Sequence, residues 1–312
     1  MVPTGDRSEE MDGLRDRFCG TLLGLAAGDA LGGPLEFQPA RAPGNYVVDM
    51  IGGGWQQLQP GEWTDDTQMA LSIVDSLLAK TVFDPDDIAK RFVGWMESGP
   101  KDIGMHTQRV LTAIRGGVRW EQAALSEHEA DPNNAPNGSV MRCAPLAMFF
   151  FRHPEYAASL SPVLSRITHV HPDCESACVL INVAIVHLLN GAKAADAIEM
   201  GYNACTTVTD EFRERIKLAM QPGNDTSPTG WVLDTLEVAL WSFLHTTTYE
   251  AAVIEAVNRG ADADTVGAVV GALAGAHYGL SAIPERWLSV LLDKEELVGK
   301  AQQLLQLAIS AG

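Results

Sequence analysis

The sequence predicts an all-α fold, one compact multi-helix domain, and three observations carry that expectation. Apolar residues recur at helical spacing in segment after segment, helix-start signals precede several of those segments, and the alternation of a half-buried strand is almost absent. No repeat of solenoid period is visible.

Residues 1–13 are mostly charged or polar and read as a disordered tail, leaving 14–312 as the domain. Residues 1–17 lack the apolar run of a secretion signal. The segment from residue 14 then places glycine at every fourth position, Gly20, Gly24, Gly28 and Gly32, with Leu22, Leu23 and Leu25 between them. Glycine inside a helix costs about 1 kcal/mol relative to alanine, so such a stripe points to close approach by another backbone. A second stripe, Gly267, Gly271 and Gly275, lies far along the chain. Small-residue stripes at this spacing let two helices pack closely. An antiparallel pairing at the centre of the fold would place Glu36, just after the first helix, beside Asp262, Asp264 and Thr265 at the start of the second.

Pro39 to Pro60 is a loop rich in turn formers, with Tyr46 to Ile51 the one short strand candidate. Its GGGW run, 52–55, lacks the flanking strand and lysine of a phosphate loop and reads as a turn. Helices are predicted over 66–80, 85–98, 105–116, 139–151, 173–190, 193–205, 231–245, 248–259, 264–277 and 294–310. Asp84, with Pro85 at the first helical position and Asp87 three residues on, marks one start, and Thr247 with Glu250 marks another. Val266 to Ile283 is free of Asp, Glu, Lys and Arg, but Ala and Gly dominate it and His277, Tyr278 and Ser281 interrupt it. It reads as a buried helix, and no transmembrane segment is expected.

Hydrophobic residues make up 46% of the 312 and are spread evenly, with no linker between two cores. The formal net charge of -18 excludes a nucleic-acid or anionic-membrane partner, both of which need a basic face, and favours a soluble monomer. Five cysteines, Cys19, Cys143, Cys174, Cys178 and Cys205, are odd in number and sit in apolar stretches, which fits a reduced, cytoplasmic protein. Cys174 and Cys178 share a helix face, but no second soft pair completes a zinc site.

The chemistry concentrates in acidic helix starts. Thr64, Asp65, Asp66 and Thr67 precede an apolar helix, and Asp65 with Gln68 fits a capping box. A cap needs one acid, so on these residues alone a plain acidic start and a cation site both stand. Asp262, Asp264 and Thr265 repeat the pattern. With Glu36 the two clusters would collect more buried negative charge than a fold tolerates without cations. Hard oxygen donors of this kind select Mg²⁺ or Mn²⁺, and their number suits two ions about 3.5–4 Å apart. Asp102, in Lys101-Asp102-Ile103-Gly104, reads alone as a helix cap. The run Asn137-Gly138-Ser139-Val140-Met141-Arg142 is either an Asn-Gly turn with a surface arginine or an anion site at a helix start. His169 and His171 alternate on an extended segment and face different ways.

Taken together, GLAAGDALGGPLEF, the GGGW loop, GEWTDDT, KDIG, NGSVMR, THVHP and RGADADTVGAVVGALAG resemble the ADP-ribosylglycohydrolase family, in order from residue 18 to about 288. Within it the chain is similar to the dinitrogenase reductase-activating glycohydrolases, which remove ADP-ribose from an arginine side chain. The resemblance implies a compact all-α fold and a dinuclear Mn²⁺ or Mg²⁺ centre at Glu36, Thr64, Asp65, Asp66, Asp262, Asp264 and Thr265. It implies a catalytic role in proton transfer for Asp102, and an ADP-ribose cleft lined by the segment with Asn137, Gly138, Ser139, Met141 and Arg142 and by His169. The implied substrate is an ADP-ribosylated protein, dinitrogenase reductase where the host fixes nitrogen. Ala261 and Val266 depart from the family pattern, as do Met105 and His106 after the KDIG block. Serine-linked or ester-linked ADP-ribose is an alternative substrate on the same fold, a non-catalytic crystallin-like relative is an alternative role, and a two-metal phosphohydrolase is an alternative class.

Overall fold

Fifteen α-helices joined by loops make up the described part of the structure, a computed structural model covering residues 4–223 and 225–311. They are α1 (Thr4–Gly32), α2 (Asp65–Lys80), α3 (Pro85–Glu97), α4 (Met105–Arg115), α5 (Trp120–Ala130), α6 (Ala144–Phe149), α7 (Pro154–Arg166), α8 (Pro172–Leu189), α9 (Ala194–Ala204), α10 (Asp210–Ala219), α11 (Val232–Leu244), α12 (Tyr249–Val257), α13 (Ala263–Tyr278), α14 (Glu285–Leu288) and α15 (Lys294–Ala311). Three single-turn 3-10 segments, at Gly33–Leu35, Val140–Arg142 and Leu280–Ala282, connect them.

The central feature is the antiparallel packing of α1 on α13. Gly20 meets Gly275, Gly24 meets Gly271, Gly28 meets Gly267 and Gly32 meets Ala263, so the two glycine stripes interlock along the length of the pair. A β-carbon added to Gly28 would stand 1.9 Å from the Gly267 carbonyl oxygen, and one added to Gly271 would stand 2.0 Å from that of Gly24. Only hydrogen fits there, which is why the helices accept the propensity cost of glycine. Tyr249 of α12 seals the contact, its hydroxyl donating to the Gly24 carbonyl at 2.8 Å. One large buried cluster, from Phe18 to Ala308, surrounds this pair, with a small satellite at Val110, Ala123 and Ala124.

Several expectations are corrected. α1 opens at Thr4, so residues 4–13 are helical rather than tail, while 1–3 lie outside the described residues. Adding a turn to an existing helix needs no new nucleus, and Asp16 anchors this end by accepting from Ser281 N and Oγ at 3.0 and 2.9 Å. Tyr46 to Ile51 forms no strand: Asn258 takes its place as partner, accepting from Val47 N at 2.7 Å and donating to Val47 O at 2.9 Å. Among the described residues the only β pairings are the isolated bridges Gly53–Leu58 and Pro136–Trp231. The helix expected over 139–151 is split, because Pro145 fits only the first turn of a helix and α6 restarts around it. The start expected at Thr247 falls one residue later, where Thr248 Oγ1 accepts from Ala251 N at 3.1 Å.

Four helices beyond those expected are present. α5 buries only Ala123 and Ala124, α7 contains Pro162, α10 is mostly charged, and α14 has only four residues. Two apolar stretches, Glu9–Leu35 and Pro172–Leu189, have the length and composition of membrane-crossing helices, yet here they pack inside the protein.

Candidate metal and substrate site

Because α1 and α13 are antiparallel, the chain leaving α1 meets the chain entering α13. Glu36 follows the 3-10 turn after α1, while Asp262 caps α13 and Asp264 and Thr265 occupy its first turn. The start of α2 adds Thr64, Asp65 and Asp66, and the loop before α4 adds Asp102. Carboxylate oxygens of Glu36, Asp102 and Asp264 all lie within 4.8 Å of one another. Asp102 therefore stands in the same group as two expected metal-site acids.

Burial and mutual repulsion dominate the electrostatics of this group. Burial first, and then neighbouring carboxylates, hold Asp65, Asp66 and Asp264 well above the usual carboxylate range. Burial pushes Glu36 up to about 7, against the pull of its Trp55 hydrogen bond. Asp102 is raised as well, mainly by burial. Asp66 Oδ1 is buried without a hydrogen-bond partner, an uncompensated acceptor of the kind that a bound ion satisfies. Donors that are all carboxylate or hydroxyl oxygen fit Mg²⁺ or Mn²⁺.

Asp29 is the residue that sequence reasoning missed. Fully buried on α1, it accepts from Thr64 N at 2.9 and 3.0 Å, Thr64 Oγ1 at 2.8 Å, Thr67 N at 3.1 Å and Thr67 Oγ1 at 2.5 Å. It thus caps α2 from another helix and directs the Thr64 hydroxyl proton toward itself. The capping box expected for Asp65 and Gln68 is absent: Thr64 is the N-cap, and Gln68 accepts from the Trp95 indole instead. Thr67, in the first turn of α2, is likewise bound to Asp29. Burial pushes Asp29 up to about 6 despite these four donors. A lone acid in the otherwise apolar, small-residue run GLAAGDALGG was the available signal.

The GGGW turn also reaches the site. Gly52, Gly53 and Gly54 all adopt positive φ, which carries Trp55 back to donate to Glu36 Oε2 at 2.6 Å, beside Gln56 Nε2 at 3.1 Å.

A cavity of about 620 Å³ opens over the carboxylates. Asn137, Gly138, Met141 and His169 line it. Asn137 Nδ2 donates to Asp262 Oδ2 at 2.9 Å and to Thr235 Oγ1 at 2.8 Å, tying this wall to the acidic floor. Arg109, at the rim with its guanidinium on Glu127, is a lining residue the sequence did not single out.

Ser139 and Arg142 are not in the wall. Ser139 is buried against Ser165, whose hydroxyl is 2.9 Å away. Arg142 is fully buried, its guanidinium 4.3 Å over the Phe92 ring, and burial pulls it down to about 10. The reason is the broken helix: the single turn Val140–Arg142 points this side chain into the core. Arg142 instead orients His169 through Thr168. A guanidinium only donates, so Thr168 Oγ1 accepts from Arg142 Nη2 and gives its own proton to His169 Nδ1 at 2.6 Å. Burial, then His106 and Arg142, hold His169 well below the usual histidine range, so it is neutral and carries its proton on Nε2. That ring packs against Gly138, where an added β-carbon would stand 3.0 Å from Nε2. His171 faces elsewhere and caps α8, accepting from Asp173 N at 3.1 Å.

Comparison with known proteins shows what the whole chain is similar to. The model of the ADP-ribosylglycohydrolase family matches residues 10–312. The chain is 36% identical over 290 residues to an ADP-ribosyl-[dinitrogen reductase] glycohydrolase of Rhodospirillum rubrum, covering 91% of this chain and 92% of that one. It is 32% identical over 306 residues to an ADP-ribosylarginine hydrolase of Serratia proteamaculans, covering 94% and 80%. A solved structure described as an ADP-ribosylglycohydrolase-related protein complex superposes with a TM-score of 0.82 at 35% identity, covering 95% of this chain and 99% of that one.

Proposed function

The chain belongs to the ADP-ribosylglycohydrolase family, and from that premise we propose that it is a metal-dependent hydrolase releasing ADP-ribose from ADP-ribosylated arginine side chains. The observation that carries the reading is the convergence of Glu36, Asp102 and Asp264 within 4.8 Å beneath a cavity of about 620 Å³.

In this reading Glu36, Thr64, Asp65, Asp66, Asp262, Asp264 and Thr265 hold two Mn²⁺ or Mg²⁺ ions. Ions bound there would supply Lewis acidity toward the ribose hydroxyls and water. Asp102 moves the proton to the departing guanidine nitrogen, a poor leaving group without such assistance. A carboxyl raised by burial is suited to carrying that proton. Asn137 and the Nε2–H of His169 orient the ADP-ribose, and Arg109 offers positive charge at the rim for its diphosphate.

The substrate is then an ADP-ribosylated protein, with dinitrogenase reductase one candidate by similarity to the Rhodospirillum rubrum relative. A monomer in the cytoplasm fits the acidic composition and the five free cysteines. The test is release of ADP-ribose from an ADP-ribosylated arginine peptide. Release with Mn²⁺ that stops on chelation is expected, and no release under either condition would overturn the reading.

A further inference from the structure

Phe37 is unexplained by the chemistry above. Its side chain lines the cavity yet is 70% exposed, and its backbone sits at φ 59°, a left-handed conformation that strains a residue carrying a β-carbon. The strain is held in place rather than relaxed. Phe37 N donates to Ala261 O at 2.6 Å, and Ala261, itself at φ 51°, donates back from its N to Gln38 O at 2.8 Å. Trp55 stands beside the Phe37 ring, with centroids 5.7 Å apart and planes 43° from parallel, and its own indole N–H is fixed on Glu36. The result is an aromatic pair, anchored through the Phe37 backbone and the Trp55 indole and with Trp55 48% exposed, next to the carboxylate floor.

We propose that Phe37, backed by Trp55, is the platform on which the cationic aglycone of the substrate rests, and that it selects guanidinium-linked ADP-ribose over other linkages. The proposal rests on the arginine-hydrolase reading above and names a specificity residue within it. Phe37 directly follows Glu36, so its ring borders the acids that hold the reacting ribose, and the group attached to that sugar emerges beside it. A guanidinium is planar and weakly hydrated, and it stacks on aromatic faces as a serine hydroxyl or an ester oxygen does not. A pinned ring costs little further ordering when the substrate arrives. Because Phe37 is exposed, its replacement leaves the core untouched.

The experiment compares wild type with Phe37→Ala, Phe37→Leu and Phe37→Trp by two measurements made with Mn²⁺ present. One is kcat and KM for ADP-ribose release from the arginine-linked peptide. The other is calorimetric Kd for free ADP-ribose, which lacks the guanidinium. Phe37→Ala and Phe37→Leu should raise KM about 5- to 20-fold with kcat little changed, Phe37→Trp should retain wild-type KM, and Kd should stay within about twofold throughout. Equal weakening of ADP-ribose binding would make the ring an adenine support and overturn the proposal, as would a wild-type KM in Phe37→Leu. A wild type that cleaves while Phe37→Ala matches it removes the platform alone. A wild type that releases nothing removes the arginine-hydrolase reading and the platform with it.

Discussion

Asp29 Oδ1 lies 2.8 Å from Thr64 Oγ1, joining the central helix α1 to the first residue of the TDDT run across 35 positions of sequence. The link explains how a hydroxyl and two acids at the start of α2 are held against the end of α1 without a basic residue between them. Donation to Asp29 uses the Thr64 proton, leaving its lone pairs free for a cation.

Asp29→Asn should therefore damage the site at a distance from it. The amide keeps the shape but turns an N–H toward donors, leaving buried groups unmatched at a cost of about 1–3 kcal/mol. Thermal unfolding should show a Tm lower by several degrees, and calorimetry should show Mn²⁺ affinity weakened roughly 10- to 100-fold. Unchanged Mn²⁺ affinity would mean that Thr64 is not oriented through Asp29.

Asp102 and Asp264 share one cluster, but their variants should differ. Asp102→Asn should lower turnover by about 10²- to 10⁴-fold while Mn²⁺ still raises Tm, the signature of a lost proton carrier. Asp264→Asn should abolish the Mn²⁺-induced rise in Tm, and in the presence of chelator it should be more stable than wild type, because one of several crowded buried charges is gone. Loss of the Mn²⁺ response in Asp102→Asn would make Asp102 a ligand instead.

The α1–α13 contact reverses the usual effect of Gly→Ala. Gly299 in α15 has nothing within 4 Å of an added β-carbon, so Gly299→Ala should stabilise by about 0.5–1 kcal/mol. Gly28→Ala places that carbon 1.9 Å from a backbone oxygen, and should destabilise by about 3 kcal/mol or more by denaturant unfolding. Equal effects at the two positions would show that the helices separate at little cost.

His169 should make stability fall on the acid side. Burial keeps its folded pKa well below the unfolded value near 6.5, so the unfolded chain takes up a proton that the native state refuses. The histidine's contribution is complete above about pH 6.5 and is lost as pH falls below it. His106 beside it, 4.5 Å between ring centroids, is lowered too, mainly by burial, and adds in the same direction. The raised carboxyls of Glu36 and Asp29 act in the opposite direction over the same range, so the readout is a difference: in urea titrations from about pH 7.5 to 5, stability should fall less, or rise more, in His169→Gln than in wild type. An identical slope would place the acid sensitivity elsewhere.

Much of this protein was legible in local pattern. Helical periodicity and the glycine stripes determined the all-α class and the antiparallel centre, because the presence or absence of a β-carbon is a property of single residues at fixed spacing. That pairing in turn placed Glu36 beside Asp264. Hydrogen-bond partners were not legible in the same way, since nothing in the neighbourhood of Thr64, Glu36 or Thr168 specifies which distant group completes them. Asp29 on Thr64, Trp55 on Glu36 and Arg142 on Thr168 are long-range choices, made only when burial removes water and each donor and acceptor must find a protein partner. The same requirement took Ser139 and Arg142 out of the cleft: where the helix breaks at Pro145, tertiary packing decided that one carries its hydroxyl and the other its charge into the core.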